Sequence, residues 1–301
     1  MLCVRAWSHS HLLFPLGAKR RYPLPKYALL RERVAATLPI AEPEPIAWPA
    51  VERTHDPHFA HRMRRGALTV REERVLGLPW SPDLITRSLH GIGGTLESAR
   101  DALDGGVGIM LGGGTHHAGR CTARGFCVFN DLAIVTAELR REGRARRVLV
   151  VDLDVHQGDG TADLLTPDPE AFTLSVQCAR NFPFTRIPSD LDVELPAGTT
   201  DDAYIDALDA ALEEALARFP RPDLVLYVAG ADPWEGDRLG RLSLTKAGLR
   251  ARDERVFAWC AGHGLPVAVT LAGGYAPDVT DTVDIHAATI AAAAAAAGVA
   301  A

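Results

Sequence analysis

The chain has 301 residues, 47 % of them hydrophobic and 23 % charged, with a formal net charge of −6. That size suits one α/β domain over residues 1–301, and that composition suits a soluble globular protein. The mild negative charge gives no support to nucleic-acid binding, which usually shows a basic face; the clusters Lys19-Arg20-Arg21 and Arg140 to Arg147 read as solvated surface.

In chain order, the N-terminus carries polar and basic residues within its first ten positions and lacks the uninterrupted apolar core of a signal peptide. The first 38 residues are too few to build a core alone and are expected to pack onto the main sheet. Residues 39–50, PIAEPEPIAWPA, are proline-rich and predict a connector that forms neither a helix nor a central strand; with it, residues 1–50 make an N-terminal segment laid on the body.

Beyond the connector, helical periodicity predicts helices over 57–65, 94–104, 130–142, 203–217 and 245–262, and apolar runs predict strands over 107–111, 147–151, 171–176, 223–228 and 266–271. Strands and helices alternating at these lengths argue for βαβ units, hence an α/β fold with a mostly parallel sheet flanked by helices. The unbroken Val/Leu/Ile runs fit strands buried on both faces. Gln177 to Thr200, with several prolines and no periodicity, predicts a long loop of the kind that often lines a site. The alanine-rich tail, residues 287–301, reads as the end of a helix beginning near Asp281 and is too short and too weakly hydrophobic to span a bilayer.

Five cysteines (Cys3, Cys121, Cys127, Cys178, Cys260) form no C-x-x-C pair. A disulfide framework and a cysteine-based zinc site are therefore disfavoured, and a reducing, cytoplasmic setting is expected. Cys121 and Cys127 flank a turn beside a histidine pair and read as small buried side chains.

The chemistry gathers where strands end. VGIML leads into Gly112-Gly113-Gly114-Thr115-His116-His117, RVLVV into Asp152-Leu153-Asp154-Val155-His156, LVLYV into Ala229-Gly230-Ala231-Asp232, and VAVTL into Ala272-Gly273-Gly274-Tyr275. Ligands of open parallel sheets bind beyond the carboxyl ends of the strands, so these groups are expected to meet there. Asp154 and His156 are two apart, which in extended backbone puts both side chains on one side. With Asp232 as third ligand they offer two oxygens and one nitrogen to a borderline divalent metal and leave its coordination open. His116 and His117 are candidates for general base and general acid, with Asp152 and Asp159 available to orient them. Tyr275 can present a hydroxyl to a developing oxyanion, and Phe126 can wall a narrow channel.

GGGTHHAG, GFCVFNDLAI, VVDLDVHQGDGT, AGADPWEGDRLGRLSLT and LAGGY, in that order, closely resemble the histone deacetylase superfamily, from the KRRYPLPKY segment to the helix after Tyr275. The three glycines before the histidine pair, the glutamine in DVHQG and the short NFPF…SDLDVELP stretch look most like class IV members and their bacterial relatives, and the Ala/Arg-rich composition suits a bacterial source. The resemblance implies an arginase/deacetylase-like fold and hydrolysis of acylated lysine side chains by water activated on one zinc ion. It implies zinc ligands at Asp154, His156 and Asp232, and tandem catalytic histidines at His116 and His117 backed by Asp152 and Asp159. Tyr275 matches the carbonyl-polarising tyrosine. Gly125, Phe126 and Leu239 match the acyl-lysine tunnel, with a second aromatic wall at Phe182 or Phe184. Asp152, Asp154, His156 and Ser175 fall where the family holds a structural monovalent cation, commonly potassium. Gln157 departs from the class I pattern, which carries histidine there.

The expected partner is an acylated lysine in a protein or peptide, or a small acylated amine such as an acetylpolyamine; neither nucleic acid nor a membrane is implied. A non-catalytic metal or acyl-lysine binder would need no general base. An arginase-like ureohydrolase with two manganese ions would want more bridging aspartates than Asp232-Pro-Trp-Glu supplies.

Overall fold

The computed structural model describes residues 4–17 and 22–299; the Lys19-Arg20-Arg21 cluster and Cys3 lie outside the described residues. In chain order the elements are β1 (Ala6–Trp7), α1 (Pro25–Val34), β2 (Ile40–Ala41), α2 (Trp48–Thr54), α3 (Pro57–Arg65), α4 (Val70–Leu76) and α5 (Pro82–Gly105). Then follow β3 (Val107–Met110), α6 (Asp131–Arg141), β4 (Val148–Asp152), α7 (Asp159–Leu165), β5 (Ala171–Cys178) and β6 (Leu191–Leu195). The last third holds α8 (Asp201–Arg218), β7 (Leu224–Val228), α9 (Lys246–Gly262), β8 (Val267–Thr270) and α10 (Val279–Ala296).

All eight strands pair in parallel in the order β2-β1-β3-β8-β7-β4-β5-β6. Side chains alternate across a strand, and β4 sorts accordingly: Val148 and Val150 join one core, Leu149 and Val151 the other. The first core is closed by α3, α5 and α6 through Met63, Leu96 and Leu132, the second by α8, α9 and α10 through Leu208, Val256 and Ile290. The four strands that lead into the reactive motifs are adjacent, in the order β3-β8-β7-β4. Their carboxyl ends therefore open onto one crevice.

Several predicted elements differ in extent, each for a physical reason. The helix predicted over 94–104 begins at Pro82, capped by Ser81, whose side chain accepts from the Leu84 amide. Gly91, Gly93 and Gly94 weaken its first half as a helical pattern, yet a Cβ on Gly93 would stand 1.9 Å from the Glu44 carbonyl oxygen. The connector is not without structure: Ile40–Ala41 forms an edge strand, and α2 starts at Trp48, with Pro49 in the first turn, where a missing N–H costs nothing. The loop predicted over 177–200 contains β6, an edge strand paired to β5, which its half-exposed LDVEL pattern hid. The alanine tail is helical to Ala296, with Ile290 and Ala293 buried against the sheet core. The N-terminal residues enter the sheet through β1, which sits between β2 and β3.

Arg140 pairs with Asp168, Arg144 with Asp104, and Arg146 and Arg147 with Glu170, so that basic cluster is neutralised locally. No helix among the described residues is long and apolar enough to cross a membrane.

α5 packs tightly against β3, where a Cβ on Gly108 would fall 1.7 Å from the Ser98 carbonyl oxygen. Backbone cannot yield as a side chain can. Gly108→Ala is expected to destabilise the fold by about 1–3 kcal/mol, read as a lower urea midpoint with an unchanged slope.

Candidate active site

β4 ends at Asp152, and the chain then bends through Asp154 to His156, not extended as the spacing predicts; the His156 amide donates to Asp154 Oδ1 at 2.9 Å, and this turn brings the two side chains together. β7 ends four residues before Asp232. Backbone amides hold the outer oxygens of both aspartates: Gly273 N donates to Asp154 Oδ2 at 2.8 Å, and Val155 N to Asp232 Oδ1 at 3.1 Å. The remaining atoms converge. His156 Nδ1 lies 2.9 Å from Asp154 Oδ1 and 3.2 Å from Asp232 Oδ2, all three residues are buried, and one ligand atom from each lies within 4.8 Å of the others.

This donor set fits a divalent cation. An imidazole nitrogen carries a single hydrogen, so His156 Nδ1 can satisfy one of the two carboxylate oxygens it faces. A cation would satisfy all three atoms together, and two oxygens with one nitrogen suit zinc.

His116 and His117 stack beside this group, ring centroids 4.1 Å apart. His116 Nδ1 is 2.7 Å from Asp152 Oδ2, and His117 Nδ1 is 2.7 Å from Asp159 Oδ1. Each ring thus has one nitrogen anchored and the other free for chemistry. His116 Nε2 is 3.9 Å from Asp154 Oδ1, so the pair adjoins the three-residue group without belonging to it.

Electrostatics splits the pair. Burial works against a charged His116, but Asp152 and Asp154 outweigh it and lift its pKa to about 9. Burial, reinforced by His116 and His156, holds His117 well below the usual imidazole range. Burial also opposes a charged His156, yet Asp154 and Asp232 raise it to about 10. Burial and the nearby Asp154 push Asp232 up to about 6. The Tyr275 phenol is driven well above its usual value, first by burial and then by Asp232 and Asp154, so it stays a hydrogen-bond donor.

Tyr275 lines a cavity of about 50 Å³ together with His116, His117, Asp154, His156 and Phe126. Its ring lies 5.7 Å from that of Phe126, and its amide donates to Asp237. Phe126 has a left-handed backbone, φ 69°, which a bulky residue rarely adopts. Its amide donates to the Leu76 carbonyl at 2.8 Å, and Gly125 N donates to Val75 O, so α4 holds this wall. Of the two candidates for the second aromatic, Phe182 packs 4.9 Å from His117 and 6.2 Å from His156, whereas Phe184 is 87 % exposed. Leu239 does not line the cavity; its carbonyl accepts from Asn181 Nδ2 beside the Phe182 loop. Ser175 stands opposite Asp152 in the β4–β5 register, buried, with its hydroxyl unpartnered. Gln157 is tied away from the cavity, donating to Ile187 O and Asp192. Cys127 lines the cavity and Cys121 lies outside it, exposed.

Four contributors were not singled out from the sequence. Asp131, in the quoted FND stretch, accepts from Gly114 N, Thr115 N and the Thr115 and Thr95 hydroxyls, and so fixes the loop that carries the histidines. Lys26, in the quoted PLPKY stretch, is buried and donates to Ala272 O at 2.9 Å at the cavity wall. Arg124 pairs with Asp159 from the side opposite His117. Arg252, fully buried on α9, donates to Gly230 O at 2.7 Å and Leu153 O at 3.2 Å, bracing the two ligand-bearing loops from beneath. No local pattern marks Arg124 or Arg252, because their partners are remote in sequence.

Comparison with known proteins places this geometry. The family model for the histone deacetylase domain matches residues 18–291. An uncharacterized protein of Picosynechococcus sp. is 41 % identical over 284 residues, covering 92 % of this chain and 94 % of that protein. Histone deacetylase 2 of Arabidopsis thaliana is 34 % identical over 233 residues, which cover 73 % of this chain and 59 % of the plant protein; the chain thus spans little more than half of that relative. The crystal structure of an HDAC homologue from Aquifex aeolicus superposes with a TM-score of 0.79 at 22 % identity, covering 98 % of this chain and 84 % of that one. At that identity the likeness speaks for the fold, the arginase/deacetylase arrangement.

Gly273 approaches both aspartates so closely that a Cβ there would fall 1.8 Å from Asp232 Oδ2 and 2.6 Å from Asp154 Oδ2. Gly273→Ala is expected to weaken divalent-metal affinity by about 10–100-fold, the usual effect of disturbing the support of a ligand set. Competition with a chromophoric chelator checks this, and unchanged affinity would remove Gly273 from the site's construction.

Proposed function

The chain belongs to the histone deacetylase family, and on that premise we propose that it is a zinc-dependent amide hydrolase that removes acetyl or longer acyl groups from lysine side chains. The observation that carries the reading is one narrow cavity bordered by a three-residue ligand group, two carboxylate-backed histidines and a protonated tyrosine. A binder needs the first of these; the others supply the proton transfer and charge stabilisation that amide hydrolysis adds.

Asp154, His156 and Asp232 would hold zinc, which polarises the amide carbonyl and acidifies water. The aliphatic lysine stem enters between Phe126 and Phe182, whose apolar faces exclude bulk water. His117 and His116 handle the protons through the nitrogens not anchored on Asp159 and Asp152, one accepting from the attacking water and one returning a proton to the leaving amine. Tyr275 donates to the carbonyl oxygen as charge gathers there. Ser175, with Asp152, Asp154 and His156, would hold a monovalent cation such as potassium; a buried hydroxyl without a partner supports that placement. The free thiols support a reducing, cytoplasmic setting.

A panel of acyl-lysine peptides and acetylated polyamines offered to the zinc-loaded protein tests the reading, and no release of acid from any of them would overturn it. His116→Ala and His117→Ala are each expected to lower turnover by about 10²–10⁴ while metal content, measured by elemental analysis, stays at one per chain. Metal loss in either variant would make that histidine a ligand instead. Tyr275→Phe keeps the ring and deletes the donor, so turnover should fall by about 10²–10³ with little change in KM.

A further inference from the structure

Two loops border the Phe182 side of the cavity: the one after β5, which carries Arg180, Asn181, Phe182 and Phe184, and the one after β7, which carries Arg238, Leu239 and Arg241. They are locked together. Asn181 Nδ2 donates to Leu239 O at 3.0 Å, and Arg241 Nη1 donates to Arg180 O at 3.1 Å. Arg238 Nε donates to the carbonyl of Tyr275 at 2.8 Å, which ties the same rim to the catalytic loop.

Arg180, Arg238 and Arg241 are exposed and take no ion-pair partner among the described residues. The clustered arginines from Arg140 to Arg147, by contrast, are matched by acids. The acids near the rim face donors other than these three arginines, Asp237 and Asp192 keeping their charge because their donors are neutral. Asp237 accepts from the amides of Leu239, Gly240 and Tyr275, Glu194 pairs with Arg186, and Asp192 accepts from Gln157, Gln177 and the Ser189 amide. Glu235 is the exposed carboxylate that remains on the β7 loop. On the same loop as Arg180 stands Phe184, 87 % exposed and edge-on to Phe182 at 6.4 Å. Arginines grouped around an uncovered aromatic are the residue types that carry binding energy at protein interfaces.

We propose that this rim is a docking surface for an acidic polypeptide segment, so that the substrate is an acyl-lysine flanked by aspartate and glutamate and carrying an apolar residue that covers Phe184. The inference rests on the deacylase reading for its acyl-lysine, and on the rim alone for its charge preference. The same three arginines repel a cationic polyamine, which makes small acylated polyamines poor substrates. Opposite charges across an interface act mainly on encounter and fade as salt screens them.

The test uses the zinc-loaded full chain and three acetyl-lysine peptides of equal length, with Asp/Glu, Ser/Ala or Lys/Arg flanks, together with an acetylated polyamine. Expected is a kcat/KM about tenfold or more higher for the acidic than for the basic peptide at low ionic strength, shrinking severalfold in about 0.5 M salt. Anisotropy titration of fluorescent versions of the peptides should give affinities in the same order, independently of turnover. Arg180→Glu/Arg241→Glu should abolish or invert the acidic-to-basic ratio in both measurements. Equal rates and affinities for acidic and basic peptides, a preference that salt leaves intact, or a ratio unchanged in the double variant would each overturn the proposal. Acid-selective binding without turnover of any peptide would sustain the docking surface and sink the deacylase reading.

Discussion

Everything at this site depends on two buried carboxylates facing one imidazole nitrogen. Asp154 and Asp232 come from different strands, and nothing in their own backbone would press them together against their mutual repulsion. The protein holds them by spending a backbone amide on the outer oxygen of each, from Gly273 and Val155. The inner oxygens are thereby turned toward His156 and toward any cation that enters. A buried charge left unmatched is costly, so such a cluster is stable when a positive group completes it.

That constraint propagates outward. Gly230 and Gly273 lie where a Cβ would collide with the ligand carboxylates, so the loops after β7 and β8 can approach only as glycine. Arg252 supports the loops after β4 and β7 through the carbonyls of Leu153 and Gly230, and Asp131 fixes the histidine loop through two amides and a hydroxyl. Asp159 is shared between His117 and Arg124, which aligns the ring while its charge is countered from the far side. The histidine pair and the three-residue group are therefore seated at strand ends, with the loops carrying Phe126, Phe182 and Tyr275 around them.

The arginines of the Arg140–Arg147 cluster and those of the rim are treated differently. Around the Arg140–Arg147 cluster, arginines are matched by acids, a pattern that contributes solubility more than stability. At the rim, Arg180, Arg238 and Arg241 stand without such partners while the adjacent acids serve the loop backbone.

The amino-acid sequence by itself determined the strand-ends-to-ligands logic. Apolar runs marked β3, β4, β5, β7 and β8 within about two residues, because strands buried on both faces need unbroken Val, Leu and Ile. The i, i+2 spacing of Asp154 and His156 marked them as a pair, but a bend closed by the His156 amide on Asp154, and not an extended backbone, brings them together. Edge strands β2 and β6 and the first half of α5 escaped notice, since proline, half-exposed residues and glycines obscure a local pattern that tertiary contacts override. Tertiary structure alone decided that β8 lies between β3 and β7, bringing Gly273 to Asp154 across 119 positions of sequence, and that Phe182 rather than Phe184 meets the histidines. It alone also assigned Arg124, Arg252 and the rim arginines their neighbours. Spacing along a chain encodes what lies within one element; which elements become neighbours is set by how the whole sheet buries its two faces.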